Sequence, residues 1–142
     1  MKVVVCSGGF DPIHSGHISY LRAAKRLGDT LVVGVNSDDW LTRKKGRPFM
    51  PLDERLQIIQ SIKYVDYTMK FMDDDDTAKH LLHNVKLMWP SAEIIVANGG
   101  DRNETNNRES EVEGVTFVFG VGGSHKMNSS SEILKTWNHF IC

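Results

Sequence analysis

The sequence predicts an α/β fold built on an open, parallel sheet of five strands. Short apolar runs rich in valine and isoleucine alternate with segments whose apolar residues recur at helical spacing, and this alternation is typical of parallel sheets. The first run, Val3-Val4-Val5, is consecutive, as expected of a strand buried on both faces. No repeat, linker or low-complexity segment divides the 142 residues, so we expect one domain over residues 1–142.

The predicted strands bring several loops to one edge of the sheet. The strands cover residues 2–7, 30–36, 65–69, 93–97 and 115–119. Residues 37–50, 98–113 and 120–128 are polar or rich in glycine, and we expect loops there. Because ligands of open parallel sheets bind beyond the carboxyl ends of the strands, the loops after the first, second, fourth and fifth strands can line one pocket.

Four helices are predicted between and after the strands. They cover residues 18–27, 51–62, 77–89 and 129–137. The first carries Leu21 and Ala24 on its apolar stripe and ends at Gly28. Pro51 suits the first position of the second helix, and Pro90 stops the third.

Composition and charge narrow the function classes. The formal net charge is -1, so the chain has no broad basic field of the kind that binds nucleic acid nonspecifically. No apolar run is long enough to span a membrane. Met1-Lys2 leads straight into the valines without a signal peptide, and Cys6 and Cys142 do not make a disulfide framework. We therefore expect a cytoplasmic protein with no nucleic-acid partner and no membrane span.

The segment His14-Ser15-Gly16-His17 carries the strongest functional signal. It follows the first strand and a Gly8-Gly9-Phe10-Asp11-Pro12 turn, and it opens the first helix. Two imidazoles three residues apart lie on one face of the first turn, where unpaired N–H groups and the helix dipole favour an anion. The glycines let a phosphate approach the backbone closely. The pattern predicts a phosphate site with two histidine donors, in preference to histidines that merely cap or pack.

Zinc is an alternative for this pair, since neutral imidazole is a common metal ligand. A zinc site needs further ligands, however, and Cys6 alternates with valines inside the predicted core strand. His80 and His83 repeat the spacing on a helix without glycines, where we expect exposed or packing side chains. We interpret the acidic run at residues 73–76 as a cap for the helix that follows. The sequence therefore predicts no metal site built by side chains.

Three cations are candidates for further phosphate contacts. Lys44 lies in the basic loop after the second strand and can reach a phosphate as a mobile point charge. Arg55 and Lys63 lie on and just after the second helix and can add a clamp, in which only the arginine offers a bidentate fork. A solvated surface cation is the alternative for each of them, and the sequence leaves it open.

Two later segments also suit a ligand. Gly99-Gly100-Asp101 permits close backbone approach, and Asp101 can accept from ribose or base groups, although an ordinary tight turn is the alternative. Ser129-Ser130-Ser131-Glu132 opens the last helix, and its first and last residues fit a capping box. Capping and phosphate binding are compatible, because the hydroxyls and free N–H groups point the same way.

Together these residues resemble the cytidylyltransferase-like nucleotidyltransferases. Residues 9–17 are similar to the HxGH signature of that family, and residues 129–134 resemble its second signature, a Ser/Thr-rich helix start. Further matches occur in order and at approximate spacing at Lys44, Arg55, residues 62–66 and residues 99–101. The resemblance covers nearly the whole chain. It implies a Rossmann-like sheet with helices on both faces, usually in a homodimer.

The family's reaction joins a nucleoside triphosphate to a phosphorylated small molecule and releases pyrophosphate. The resemblance implies in-line attack of the acceptor phosphate on the α-phosphorus, so that the protein supplies positioning and charge stabilisation. It assigns catalysis to His14, His17 and Lys44. Nucleotide binding would fall to Gly8, Gly9, Phe10, Asp11, His14, His17, Gly99, Asp101, Ser129, Ser130 and Ser131. Substrate or phosphate binding would fall to Lys44, Arg55, Lys63 and Lys126. Mg²⁺ is expected, held mainly by phosphate oxygens.

Two branches of the family share features with this chain. Small glycerol-3-phosphate cytidylyltransferases share its size and the run at residues 62–66, whereas heptose-phosphate adenylyltransferase domains share the character of residues 35–38, 46–48 and 99–101. Lys63 replaces an arginine of the first branch, and residues 124–127 replace its Arg-Thr-Glu-Gly. We expect CMP transfer from CTP to an acceptor such as glycerol 3-phosphate; the alternative is transfer from ATP to a sugar phosphate.

Two further classes stay open. A family member with altered residues before Ser129 could bind and sense a nucleotide without catalysing its transfer. A dinucleotide-binding oxidoreductase ranks behind it, because the chain lacks the GxGxxG fingerprint.

Overall fold

The computed structural model describes residues 1–100, 107–123 and 129–141, and the strands in these ranges form a five-stranded sheet. They are β1 (Lys2–Gly8), β2 (Thr30–Val35), β3 (Tyr67–Lys70), β4 (Glu93–Ala97) and β5 (Val115–Val118). Their order is β3-β2-β1-β4-β5, with every neighbouring pair parallel. The predicted fold class is confirmed. The strand order reverses between β1 and β4, which is where open sheets bind ligands.

Helices cover both faces of this sheet. They are α1 (Ser15–Lys25), α2 (Asp38–Lys45), α3 (Leu52–Gln60), α4 (Lys79–Met88) and α5 (Ser130–Ile141), with a 3₁₀ helix at Arg108–Glu111. Successive strand residues point to opposite faces. Val4 accordingly belongs to an apolar cluster with Leu21 of α1 and Ile59 of α3, whereas Val5 belongs to one with Leu81 of α4. In the described ranges, no helix has the length and apolar character needed to cross a membrane.

Residues 37–50 were predicted to be a loop, and this prediction was wrong, because they contain α2. Ser37 caps the helix by accepting the backbone N–H of Trp40 at 3.1 Å. Acidic residues in the first turn and basic residues in the last complement the helix dipole, and Gly46 ends the helix with a φ of 96°. Its buried residue is Leu41, so the apolar periodicity on which the prediction relied is nearly absent.

Other element boundaries shift by a few residues. α1 begins at Ser15, ahead of the predicted Ile18, because His14 is its N-cap. Pro51 is the N-cap of α3 instead of its first residue, and that helix ends before Ile62. These shifts leave the predicted order of strands and helices intact.

We expect the Cys6 thiol to be inert in the folded protein. Its side chain lies in β1 with 1% of its surface exposed, and burial raises its pKa to about 12. Because the thiolate is the reactive form, a Cys142→Ser variant should not react with a thiol reagent near neutral pH until denaturant is added. Thiol titration with and without guanidinium measures this, and rapid labelling of the native protein would contradict it.

Candidate functional site

A cavity of about 420 Å³ opens at the carboxyl ends of β1 and β4. Its volume lies within the range of roughly 300–1,000 Å³ that is usual for small-molecule sites. The predicted site residues that line it are Gly8, Gly9, Phe10, Asp11, His14, His17, Lys44, Gly99, Ser129, Ser130 and Ser131. The sheet thus brings together side chains from the turn after β1, from α1 and α2, and from the segment that opens α5.

The two predicted histidines form a reciprocal cap at the start of α1. His14 Nδ1 accepts the Gly16 N–H at 3.1 Å, and His17 Nδ1 accepts the His14 N–H at 3.2 Å. The rings stack with centroids 3.8 Å apart. Because each Nδ1 accepts a hydrogen bond, the hydrogen-bonding pattern assigns the proton of each ring to Nε2. Each imidazole can therefore cap the helix with one nitrogen and donate to a phosphate oxygen with the other.

Asp11 lines the cavity, and its carboxylate oxygens bind backbone groups of the protein. Its side chain is buried, and its two carboxylate oxygens accept the N–H groups of Phe49 and Met50 at 2.6 and 2.7 Å. Lys45 donates to the Asp11 carbonyl, and its ammonium lies 3.5 Å from the carboxylate. Asp11 therefore fixes the segment after α2 and holds Lys45 at the cavity wall. The sequence reasoning missed Lys45 as a separate residue, although it stands in the basic run.

Lys44 lines the cavity beside an aromatic ring. Its ammonium lies 4.6 Å from the centroid of Trp40, which also lines the cavity. Residues four apart are neighbours on a helix surface, and a cation at this distance is attracted to the ring face. The sequence reasoning missed Trp40 because it depends on α2. A lysine four residues after a tryptophan was the available signal.

Two glycines at the cavity lie where a side chain would have little room. A Cβ at Gly9 would lie 2.9 Å from Leu41 Cδ2 on α2. Gly122 has a φ of 84°, which favours glycine, and a Cβ there would lie 3.0 Å from the Cα of Tyr20. Tyr20 also lines the cavity, and its hydroxyl donates to the carbonyl of Ala97 at the end of β4. α1 is thus fitted closely against the backbone of the β4 and β5 edge.

Arg55 was predicted to add a phosphate clamp, and in the structure its guanidinium is bound by acceptors of the protein itself. The side chain is fully buried, with 0% of its surface exposed, and does not line the cavity. Nη1 donates to the carbonyls of Gly9 and Asn36 at 3.0 and 2.6 Å, and Nε donates to that of Met50 at 2.9 Å. Nη2 bonds the Asp38 carboxylate at 2.7 Å. The guanidinium thus joins the residues that follow β1 and β2 to α2 and to the segment after it, next to the cavity.

Lys63 also lies outside the cavity. It is exposed in the turn after α3, with its ammonium 5.2 Å from the centroid of Tyr64, so in the described chain it does not join the predicted phosphate site. Asp101 and Lys126 fall outside the described residues. At the start of α5, Ser130 donates to the carbonyl of Pro12 at 2.7 Å, which ties this helix to the turn after β1.

The acidic run at residues 73–76 was predicted to cap the next helix, and this prediction was wrong, because α4 has Ala78 as its N-cap, with no side-chain cap bond and no acidic residue in its first turn. Asp75 accepts the Thr77 N–H at 3.0 Å, near the start of α4. Asp73 and Asp76 instead bind Ser37 at the start of α2 and Arg43 in its last turn. Over the described ranges, no group of three or more His, Cys, Asp or Glu side chains is arranged to hold a metal ion.

A family model and curated proteins match most of this chain. The family model described as cytidylyltransferase-like matches residues 5–134. The chain is similar to the bifunctional protein HldE of Yersinia enterocolitica, with 35% identity over 139 residues, which is 96% of this chain and 26% of that protein. HldE of Photorhabdus laumondii is also 35% identical, over 96% of this chain and 27% of its own length. The chain therefore spans about a quarter of these curated relatives.

Solved structures share the fold. A lipopolysaccharide core biosynthesis protein from Thermoplasma volcanium matches with a TM-score of 0.66 and 27% identity, over 84% of this chain and 95% of that one. A bifunctional NMN adenylyltransferase/ADP-ribose pyrophosphatase from Francisella tularensis matches with a TM-score of 0.71 and 13% identity, over 97% of this chain and 42% of that one. At that identity the second match shows the fold alone.

Proposed function

The chain belongs to the cytidylyltransferase-like family, and we propose that it transfers an adenylyl group from ATP to a phosphorylated sugar, releasing pyrophosphate. The observation that carries the proposal is the histidine pair at the head of α1, facing a cavity that Lys44 and Ser129 to Ser131 also line. This set combines Nε2–H donors, an ammonium and hydroxyls at a helix start, which are the groups that bind phosphate chains.

The proposed mechanism needs no enzyme nucleophile. An oxygen of the acceptor phosphate attacks the α-phosphorus of the triphosphate, a new P–O bond forms, and the bond to the bridging oxygen breaks so that pyrophosphate leaves. The Nε2–H groups of His14 and His17 would stabilise the charge that develops on the transferred phosphate. Lys44 would neutralise the attacking phosphate. The hydrogen bonds of Arg55 would fix the backbone next to the cavity, so that both substrates are held in line.

We propose that Mg²⁺ enters with the triphosphate. This ion retains water and binds phosphate oxygens more readily than all-protein cages. Asp11 is the carboxylate among the described residues that line the cavity, and both of its oxygens accept backbone N–H bonds. Because the Asp11 oxygens are already hydrogen-bonded, the cavity suits a Mg²⁺ ion that is held by phosphate oxygens and water. When bound, the ion would offset the negative charge of the triphosphate.

Adenylyl transfer to a sugar phosphate has more support than the CMP transfer expected from the sequence. The HldE proteins cover 96% of the chain at 35% identity, and the sequence shares motifs with heptose-phosphate adenylyltransferase domains. The similar protein from Thermoplasma volcanium is described as a lipopolysaccharide core biosynthesis protein, and a saccharide acceptor is consistent with that description. CMP transfer to glycerol 3-phosphate is the second candidate.

A screen of triphosphates against acceptors tests the proposal. Pyrophosphate release is measured for ATP and CTP with Mg²⁺ and a panel of sugar 1-phosphates, glycerol 3-phosphate and other phosphorylated alcohols. We expect turnover with ATP and a sugar phosphate. Turnover with CTP alone would overturn the adenylyl assignment. Tight triphosphate binding without turnover for any acceptor would instead support a nucleotide-sensing module.

The expected homodimer is tested separately, by analytical ultracentrifugation of the same sample.

Lys44→Ala should lower kcat in this screen by about 100-fold or more, the usual scale for loss of one charge-stabilising group. Lys86→Ala is the matched control, because Lys86 lies on α4 and bonds the carbonyl of Glu113 at 2.6 Å, away from the cavity. We expect this control to retain the wild-type rate. Equal rates for both variants would remove Lys44 from the mechanism.

A further inference from the structure

Asp73 is a buried carboxylate that the proposed mechanism does not use. It follows β3, with 2% of its surface exposed, and does not line the cavity. Its Oδ2 accepts the Asn36 side-chain N–H at 3.0 Å and the Ser37 backbone N–H at 2.8 Å, while its Oδ1 accepts the Ser37 hydroxyl at 2.6 Å. Burying a carboxylate is costly unless hydrogen-bond donors compensate the charge, and these three donors do so.

The partners of Asp73 define the start of α2. Ser37 is the N-cap of that helix, and its hydroxyl oxygen accepts the Trp40 N–H at 3.1 Å while donating to Asp73. Asn36 lines the cavity, and its carbonyl is held by Arg55. The carboxylate therefore fixes the residue that caps α2 and the residue that joins α2 to β2.

The same turn also holds α2 further along its length. Arg43 donates to the backbone carbonyl of Asp73 at 2.8 Å and to the Asp76 carboxylate at 3.0 Å. α2 is thus attached to residues 73–76 both at its cap and at Arg43, next to Lys44. Since α2 is short and buries little apolar surface, these polar contacts supply the orientation that an apolar stripe provides for longer helices.

We propose that Asp73 is a positioning residue that sets the orientation of α2 and so places Lys44 and Trp40 at the cavity. This inference rests on the proposed function, in which Lys44 meets the attacking phosphate. Burial opposes ionisation of Asp73, but the hydrogen bonds from Ser37 and Asn36 and the nearby Arg43 charge hold its pKa below its usual value. The carboxylate is accordingly charged near neutral pH, and its charge also complements the amino end of α2.

Steady-state kinetics of Asp73→Asn and Lys44→Ala, alone and combined, test the proposal. We expect Asp73→Asn to lower kcat about 10-fold or more in the wild-type background and by less than 2-fold in the Lys44→Ala background, because the lysine it places is then missing. In a His17→Ala background the loss should keep its full size. Equal losses in the wild-type and Lys44→Ala backgrounds would overturn the proposal, since a merely structural residue lowers every rate alike.

Arg43→Gln provides the second variant in case Asp73→Asn does not fold. It removes the bond to the Asp73 carbonyl together with an exposed ion pair to Asp76. Exposed ion pairs contribute little to the free energy of unfolding, so folding should survive while kcat falls in the same Lys44-dependent way. Glu111→Gln is the matched control, because it removes the exposed ion pair with Lys79 on α4. We expect it to leave kcat unchanged. A loss of kcat in this control as large as in Arg43→Gln would also count against the proposal.

Hydrogen exchange separates failure of this proposal from failure of the proposed function. Backbone amides of α2 should exchange at least 10-fold faster in Asp73→Asn and Arg43→Gln than in wild type, with no change in α1. This result is expected even for a wild-type protein that turns over no acceptor. Unchanged exchange in α2 would overturn the positioning role whatever the screen shows.

Discussion

Replacing His17 with asparagine is expected to lower kcat by about 100- to 1,000-fold, the usual effect of removing one preorganised donor, while leaving stability nearly unchanged. In the structure, His17 Nδ1 accepts the His14 N–H and so caps α1. The asparagine side-chain oxygen can take over that acceptor position, whereas no donor remains at the place of Nε2. The binding and capping roles of one imidazole can therefore be separated.

The complementary variant is His17→Gln, whose amide reaches the position of Nε2 but not that of Nδ1. We expect it to retain more activity than His17→Asn and to lose about 1 kcal/mol of unfolding free energy, the usual cost of losing a helix cap. Steady-state kinetics and urea unfolding measure the two quantities. If the glutamine variant were the less active of the two, the assignment of the donor to Nε2 would be wrong.

The way in which the effect of His17→Asn divides between kcat and KM distinguishes a catalytic role of His17 from a binding role. A donor that acts on charge present only in the transition state lowers kcat and kcat/KM equally, whereas a donor that merely binds triphosphate raises KM. We expect the first pattern for His17→Asn. A rise in KM for the triphosphate with unchanged kcat would reduce His17 to a binding residue.

The site residues whose placement the sequence predicts correctly belong to local patterns. The histidine pair follows a strand and a glycine turn within one short segment, so its place at a helix start can be argued from neighbours in the chain. Ser129 to Ser131 also open a helix, and the parallel topology carries both segments to one cavity. Strands such as β1 are equally predictable, because consecutive valines have few alternatives to a buried strand.

The errors share a different physical origin, which is that polar contacts between distant segments decide the structure. α2 was missed because it buries little besides Leu41 and depends on Ser37, Asp73 and Arg43 for its orientation. Trp40 was missed with it. The chain sequence shows the charge of a residue but not the acceptors that the fold will bring to it, so a cation can equally be a ligand or an internal support.

Arg55 is the clearest case, and Arg55→Ala is expected to lower the unfolding free energy by at least about 3 kcal/mol. The substitution removes the donor of a buried bond to the carbonyl of Asn36 and of part-buried bonds to those of Gly9 and Met50, and a buried acceptor left without a donor costs about 1–3 kcal/mol. The Asp38 side chain keeps 44% of its surface exposed and can return to water, so it adds little. Arg55→Lys should recover only part of the loss, since one ammonium cannot reproduce the fork.

Urea unfolding of the ligand-free protein measures this effect, with Arg22→Ala as the control. Arg22 is exposed on α1, and surface substitutions of this kind usually stay within about 0.5 kcal/mol. An internal support and a phosphate clamp then predict opposite results. The support requires a large loss of stability without any substrate present, because the acceptors belong to the protein. The clamp expected from the sequence requires unchanged stability with a raised KM for a phosphorylated substrate, and that outcome would show that Arg55 leaves its carbonyl partners to meet the ligand.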